Sequence, residues 1–375
     1  MKKRIVVGMS GGVDSSVAAA LLKAQGHEVI GIFMKNWEET DQSGHCTTEQ
    51  DYADVVKVCE HLDIPYYAVN FAKEYWDGVF QEFLQGLQAG RTPNPDILCN
   101  REIKFKVFYD HAMKLGCDAF ATGHYCQIGQ VDGEYQLLKG FDGNKDQTYF
   151  LHAIDRQCLE KTLFPIGHLI KPDVRKIAAE LNLPTKEKKD STGICFIGER
   201  NFNNFIQNYL KPNPGNYCTL DGVVVGTHQG HQFHTIGQRK GLGLGGQGDP
   251  WFVVAKDPAT NQVFVERGEH PALYRPALLA RDLNFLGLAG ELQFPLRCKA
   301  KIRYRQPDQD CVIEGELMVE GQRYLKVVFD RPQRAITPEQ SIVFYQGERC
   351  LGGALIDRAL VAEIAESAIN PESSL

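Results

Sequence analysis

Nowhere does this chain run to the ~18 to 20 consecutive apolar residues of a membrane span, and the apolar run after Met1-Lys2-Lys3 is too short for the core of a signal peptide. These absences lead us to expect a cytoplasmic protein with no membrane partner. CxxC pairs are missing too: the 11 cysteines are odd in number and irregular in spacing. No zinc or iron–sulfur framework is therefore expected, no metal ligands are assigned, and a reducing compartment would keep the thiols unpaired. Positive charge is not in excess, since Lys and Arg number 41 against 47 Asp and Glu for a net charge of −6. Phosphate binding leans on Lys and Arg, so any nucleic-acid footprint must be local. At 375 residues, 43% hydrophobic and 23% charged, the chain suits two or three globular domains and excludes disorder as its theme.

What is present begins with Ser10–Ser16, SGGVDSS. It follows the apolar run Arg4–Met9 and precedes Val13–Gln25, which reads as strand, glycine turn and helix start. Gly11 and Gly12 permit positive φ and close backbone approach, while Ser10, Asp14, Ser15 and Ser16 are expected to cap unpaired helical amides. Such a helix start attracts phosphate. A Walker loop would carry a lysine, and this loop has none, so amides and hydroxyls must do most of the holding. The seven residues look like the pyrophosphate loop of enzymes that cleave ATP to AMP and pyrophosphate.

Strands at Glu28–Met34 and Tyr66–Phe71, with a helix over Glu49–Leu62 between them, imply a parallel, doubly wound sheet. Its carboxyl ends should gather the glycine loop, Met34 to Trp37 and the Gly123-His124 turn. Met34 fits an adenine pocket or the core equally well. Lys73–Gly90 reads as a packed helix. In Arg91–Lys106 the two prolines predict a stiff loop presenting Asn94, Pro95, Asp96 and Cys99 before a helix that begins near Asn100. Arg101 and Lys104 would favour a Cys99 thiolate, and a buried, inert thiol is the alternative. A hairpin is predicted over Tyr125–Lys139 around Asp132-Gly133, a solvated turn over Lys145–Phe150 and a helix over Pro172–Leu183. Cys195, after Ser191, Thr192 and Gly193 and near Lys188 and Lys189, is a second thiol in a positive setting; the two suggest a pair meeting over one substrate.

Beyond Pro212–Gly215 the sequence turns to short β-branched runs. The fold class expected is α/β: a doubly wound, parallel-sheet pyrophosphate-loop domain of the adenine nucleotide alpha hydrolase type over 1–207, a β-rich middle domain over 208–278, a β-barrel over 279–362 and a tail over 363–375. His228, His231 and His234 stand three apart, which suits neither face of a strand, and no cysteine or carboxylate cluster joins them. Ile236–Gly246 is a basic glycine-rich loop, either a phosphate contact or an ordered linker. Arg297, Lys299, Lys301, Arg303 and Arg305 alternate with mostly apolar residues, so one strand would show five cations on one face, either as an exposed, solvated strand or as part of a barrel gripping RNA backbone.

Together SGGVDSS, FMKNW (33–37), PNPDILCN, ATGHY (121–125), KDQTYFL, KKDSTGICFIGER, GQRKGLG and RYRQ (303–306) closely resemble the MnmA/TrmU family of tRNA 2-thiouridylases, over about residues 3 to 360. The resemblance implies ATP-dependent replacement of the wobble-uridine 2-oxygen by sulfur in tRNAs for Lys, Glu and Gln. It assigns ATP, with Mg²⁺, to Gly8, Met9, Ser10, Gly11, Gly12, Val13, Asp14, Ser15, Met34 and Gly123. It makes Cys195 the persulfide carrier and Cys99 the nucleophile, either freeing sulfide or engaging the substrate, with a Cys99–Cys195 disulfide as product. Asn94, Pro95 and Asp96 match the base-contacting segment, with Asp96 a candidate acid or base. His124, Lys145, Asp146, Gln147, Arg303, Tyr304 and Gln340 match tRNA contacts. A cysteine desulfurase or sulfur-relay protein would be the donor. The competing reading is a pyrophosphate-loop ligase or amidotransferase acting on a small molecule, which has no use for two such cysteines or a basic barrel.

Overall fold

The structure, a computed structural model, describes residues 2–37, 47–190, 202–288 and 290–361. Its first layer is a parallel five-stranded sheet of β1 (Arg4–Met9), β2 (Glu28–Lys35), β3 (Tyr66–Asn70), β4 (Ala119–Ala121) and β7 (Thr162–Leu163), in the order β3-β2-β1-β4-β7. β1 is buried on both faces: Val6 enters one core, and Ile5, Val7 and Met9 enter the other. That explains an uninterrupted apolar run where a half-exposed strand would alternate. Helices α1 (Val13–Ala24) and α2 (Thr47–Leu62) cover one side with Ala19, Leu22, Val55 and Val58. Two long helical stretches, α3 (72–88) and α4 (95–114), cover the other.

The chain leaves β1 toward β2 and β3 on one side and returns to β4 on the other. The carboxyl ends of β1 and β4 are therefore the topological switch point, where a crevice opens. Both long helices carry π-turns, Trp76–Phe80 in α3 and Cys99–Phe108 in α4, with a break at Phe105, and the two π-segments pack on each other. Single π-turns inside α-helices recur at functional sites.

α4 begins earlier than expected. Its first turn starts at Pro95, capped by Asn94, whose side chain accepts from the amides of Asp96 at 3.1 Å and Ile97 at 3.4 Å. Proline at the first helical position loses no hydrogen bond and arrives with helical φ, so the second proline starts the helix instead of preventing it. Cys99 consequently lies inside the helix, not on a loop before it.

A smaller sheet in the order β10-β11-β8-β9 (Trp251–Asp257, Gln262–Arg267, Gly215–Cys218, Val224–His228) surrounds Tyr217, Leu242, Val253, Val263 and Val265. The last layer is a barrel of β12 (Tyr274–Phe285), β15 (Gln322–Arg334), β14 (Gln309–Val319), β13 (Leu296–Lys301), β16 (Ser341–Gln346) and β17 (Arg349–Leu360), closed by pairing of β12 with β17. β17 runs to Leu360, inside the span expected for the barrel. The hairpin of β5 (Cys126–Val131) and β6 (Glu134–Lys139) turns at Asp132 and Gly133, both at positive φ, and hydrogen-bonds to β17 through the Leu138–Arg349 pair. An element of the first stretch is thereby stitched to the barrel.

Gly167 is the tightest point of that seam: a Cβ there would overlap the carbonyl oxygen of Cys126 on β5. Gly167→Ala is expected to cost about 3 kcal/mol and to lower Tm clearly. Gly143→Ala, with open space at its Cβ and no positive φ, should leave Tm unchanged. Paired thermal melts check both.

Candidate functional site: an uncapped helix start and its surroundings

At the end of β1 the chain turns through Gly11, whose φ is +74° and whose Cβ would sit 2.6 Å from the Asp51 carbonyl oxygen. Only glycine fits there. α1 then begins with Gly12 as N-cap and with no side-chain cap. This corrects the capping expectation for Asp14, Ser15 and Ser16, while Ser10 Oγ accepts from the Gly12 amide at 3.4 Å. The hydroxyls of Ser15 and Ser16 donate to the Gly12 carbonyl at 3.2 and 2.8 Å, the Ser10 amide donates to Ser15 Oγ, and Asp14 turns elsewhere. Serine early in a helix can bond back to a carbonyl as readily as cap an amide, and here it bonds back. Among the described residues no side chain caps the first-turn amides, which stand at the positive end of a 12-residue helix and can receive an anion.

Gly123 closes the other side: a Cβ on it would lie 2.7 Å from the Ser15 amide nitrogen, so the turn after β4 lies directly on the head of α1. Gly8, Met9, Ser10, Gly11, Gly12, Val13, Asp14, Ser15 and Gly123 are thus gathered at the switch point. Met34 stands at the carboxyl end of β2, half-buried against the main core, one strand away. The arrangement can seat a polyphosphate.

The missing lysine of the loop has a counterpart elsewhere. Lys171 opens helix α5 (Lys171–Glu180), and its ammonium reaches both Asp14 oxygens at 2.7 and 2.9 Å and Asp190 Oδ1 at 2.9 Å. Tyr125 Oη donates to Asp14 Oδ1 at 2.8 Å. Asp190 also receives Lys145 at 2.8 Å and Arg175 at 2.6 Å. Burial alone would raise the Asp190 carboxyl, but the hydrogen bonds from Lys145 and Lys171 hold it well below the usual range. Burial, then the Asp14 carboxylate, raises the Tyr125 phenol. Lys188 is spent on Asp51 and Asp54, at 2.7 Å each, so it adds no uncompensated positive charge near the second cysteine segment. Cys195 itself, with Ser191 to Arg200, lies outside the described residues.

On α4, Cys99 is buried at 1% exposure. Asp96, half-buried two positions past the cap, has its carboxyl raised by desolvation, against the pull of Lys104. His124 Nδ1 lies 2.7 Å from Thr122 Oγ1, and burial, reinforced by Lys104, lowers its pKa well below the usual value, so the ring is neutral. Cys126 and Cys350 are fully buried thiols pushed up by desolvation, Cys350 to about 12, and make poor nucleophiles.

The segment expected as a solvated turn is instead an internal brace. Asp146, 5% exposed, accepts from the amides of Gly140 and Thr148 and from the Thr148 hydroxyl, Gln147 Oε1 accepts from the Tyr125 amide, and Lys145 holds Asp190. Gln340 donates to the Thr92 carbonyl at 2.6 Å, clasping the barrel to the loop before α4. Between these layers lies a cavity of about 150 Å³ lined by Asn94, Arg101, His152, Glu339 and Ser341 among others.

The single face of five cations does not form. β13 ends at Lys301, Arg297 pairs with Asp330, Lys299 with Asp310 at 3.9 Å, and Lys301 with Asp146 and Asp308. Arg303 lies past the strand and donates to the carbonyls of Ile236 at 2.8 Å and Ala335 at 3.1 Å, bolting the glycine-rich loop to the barrel. Tyr304 packs its ring 4.4 Å from Phe150. His228 and His234 flank Tyr217, and His231 bonds Asn261 and the Gln88 carbonyl. Among the described residues no three His, Cys, Asp or Glu side chains are grouped to hold a metal.

Three family models match in series: a tRNA methyl transferase HUP domain over 3–199, a tRNA methyl transferase PRC-barrel domain over 203–267 and an aminomethyltransferase beta-barrel domain over 275–356. A HUP-domain protein with two β-layers appended is the class these matches and the sheet topology define. Full-length relatives are more specific. The chain is 56% identical over 360 residues to a tRNA-specific 2-thiouridylase MnmA of Alkaliphilus oremlandii, covering 95% of this chain and 98% of that one. It is 55% identical to the protein of that name in Shouchella clausii, over 96% of this chain and 98% of that one, and 57% identical to one of Geobacillus kaustophilus, over 94% of each. The chain belongs to the tRNA-specific 2-thiouridylase family.

His152 supplies a pH signature for this region. Its ring is buried, Nε2 lies 2.8 Å from Ser341 Oγ, and desolvation, then Arg101, lowers its pKa from 6.5 to about 3. The unfolded chain therefore binds a proton below about pH 6.5 that the folded chain refuses until near pH 3. Stability from this group is complete above that upper value and is lost as pH falls, by up to about 1.4 kcal/mol per pH unit. His152→Gln should flatten the dependence of unfolding free energy on pH across this window, read by urea titrations at several pH values.

Proposed function

We propose that the chain replaces the 2-oxygen of the wobble uridine by sulfur in tRNAs for Lys, Glu and Gln, with ATP as the activating cosubstrate, in the cytoplasm. The observation that carries the reading is a helix start left without side-chain caps, under Gly123, in a chain of the 2-thiouridylase family. When bound, ATP supplies the adenylyl group that turns a poor leaving oxygen into AMP, and pyrophosphate departs. Asp14, the carboxylate of the loop, is held by Lys171 and Tyr125, and Mg²⁺ would accompany the nucleotide's phosphates.

The residues of the chain then act as follows. The amides of the first turn of α1 hold phosphate oxygens, and Met34 lines the base side. Asn94, Pro95 and Asp96, at the fixed head of α4, orient the uracil, and the raised carboxyl of Asp96 can move a proton at its O2 or N3 edge. Cys195 carries the incoming sulfur as a persulfide received from a cysteine desulfurase or sulfur-relay protein. Attack of Cys99 on the bridging sulfur forms a Cys99–Cys195 disulfide and releases hydrosulfide, which displaces AMP from C2. An external dithiol then reduces the disulfide. Because Cys99 is buried in this conformation, its cover must open when tRNA engages. Asp190, five residues before Cys195 in sequence, is bound to Lys171 and through it to Asp14.

For RNA binding, Arg303, Tyr304, His124, Lys145, Asp146, Gln147 and Gln340 act largely by holding the surface in shape, whereas Arg305 is exposed and has no ion pair among the described residues. Arg305→Ala should weaken tRNA binding and make its logarithmic salt slope shallower by about 0.9, while Arg303→Ala should weaken binding with the slope unchanged.

Incubation of tRNA with the protein, ATP, Mg²⁺ and a sulfur donor, followed by nucleoside mass analysis, tests the function. An oxygen-to-sulfur mass gain on one uridine is expected, and Cys195→Ser should abolish it while leaving tRNA binding intact. Thiolation retained in Cys195→Ser would remove the persulfide role.

A further inference from the structure

A polyphosphate seated at the head of α1 would meet a carboxylate in the first helical turn. The Asp14 carboxylate sits among the amides that would hold phosphate and would repel the ligand if left to itself. Loops of the Walker kind answer the same charge problem with a lysine of their own; this loop has none.

The structure supplies that charge from 157 residues away. The Lys171 ammonium donates to Asp14 Oδ1 and Oδ2 and stands 2.9 Å from Asp190 Oδ1 in an ion pair. Its side chain is 11% exposed, so these contacts lie in a weakly screened setting. It is also fixed from behind, because its backbone amide donates to Asp142 Oδ2 at 3.0 Å and Pro172 follows at the helix start. The carboxylates Asp14 and Asp190 are met by three cations, Lys171, Lys145 and Arg175, beside the positive end of α1.

We propose that Lys171 is a positioning residue of the nucleotide cradle: it neutralises Asp14 and ties it to Asp190, so that a polyphosphate meets a cationic helix head in place of a bare carboxylate. The inference rests on the ATP reading above. The role is electrostatic, since no phosphate contact by Lys171 is needed; its ammonium already has partners. It follows that deleting the Lys171 charge harms anion binding only while Asp14 keeps its own.

The test is equilibrium binding of α,β-methylene ATP with Mg²⁺, by titration calorimetry on the full chain, for wild type, Lys171→Met, Lys171→Arg, Asp14→Asn and the double variant Asp14→Asn/Lys171→Met, each checked by thermal melting. Lys171→Met should weaken binding at least about tenfold, Lys171→Arg should stay within about threefold, and the double variant should bind within about threefold of Asp14→Asn alone. If the double variant binds no better than Lys171→Met, or Lys171→Arg is as weak as Lys171→Met, the effect is one of shape and the proposal falls. Should Lys171→Met not fold, the double variant against Asp14→Asn and Lys171→Arg against wild type still decide, because neither leaves a buried carboxylate unpaired. Failure of the wild-type protein itself to bind the analogue would instead overturn the ATP reading.

Discussion

Everything at the switch point depends on the uncapped amides at the start of α1. A helix end normally closes its first turn with a side chain, yet Ser15 and Ser16 spend their hydroxyls on the Gly12 carbonyl and Asp14 is held by Lys171 and Tyr125. The vacancy is maintained by packing. Gly11 and Gly123 allow Asp51 and the turn after β4 to come within contact of the loop, so a larger residue at either position would displace the backbone that defines the cradle.

From that point two braces run outward. One passes from Asp14 through Lys171 to Asp190, Lys145 and Arg175, and so to the segment that precedes Cys195. The other passes through Asp146 and Thr148 to Tyr345 of the barrel and through Gln340 to the loop that caps α4. Residues that the sequence led us to expect as RNA contacts are thereby largely engaged with the protein itself. In the proposed reaction they keep the surface on which a tRNA sits in register with the head of α1.

Local features of this architecture were legible in the sequence, and features built by distant partners were not. The strand, glycine turn and helix of the loop, the parallel alternation and the Asp132-Gly133 hairpin each follow from contiguous residues and formed as expected. The start of α4 was legible in principle, since Asn94-Pro95 is a cap followed by a first-turn proline, but two nearby prolines read more readily as a loop. The cationic face on β13 failed because its countercharges, Asp310 and Asp330, come from neighbouring strands that no local window contains. Lys171 was missed for the same reason: nothing near the loop announces a lysine 157 residues away. The sole hint is that it stands before a proline at the start of a helix packed on α1.

The central claim is that the head of α1 activates a carbonyl oxygen by adenylation before sulfur arrives. The most direct measurement uses tRNA carrying ¹⁸O at the 2-position of the wobble uridine, turned over by the protein with ATP and a sulfur donor, with the products resolved by mass spectrometry. The account predicts that the label leaves the tRNA in the phosphate of AMP and is absent from pyrophosphate. Label released into water, with unlabelled AMP, would contradict it.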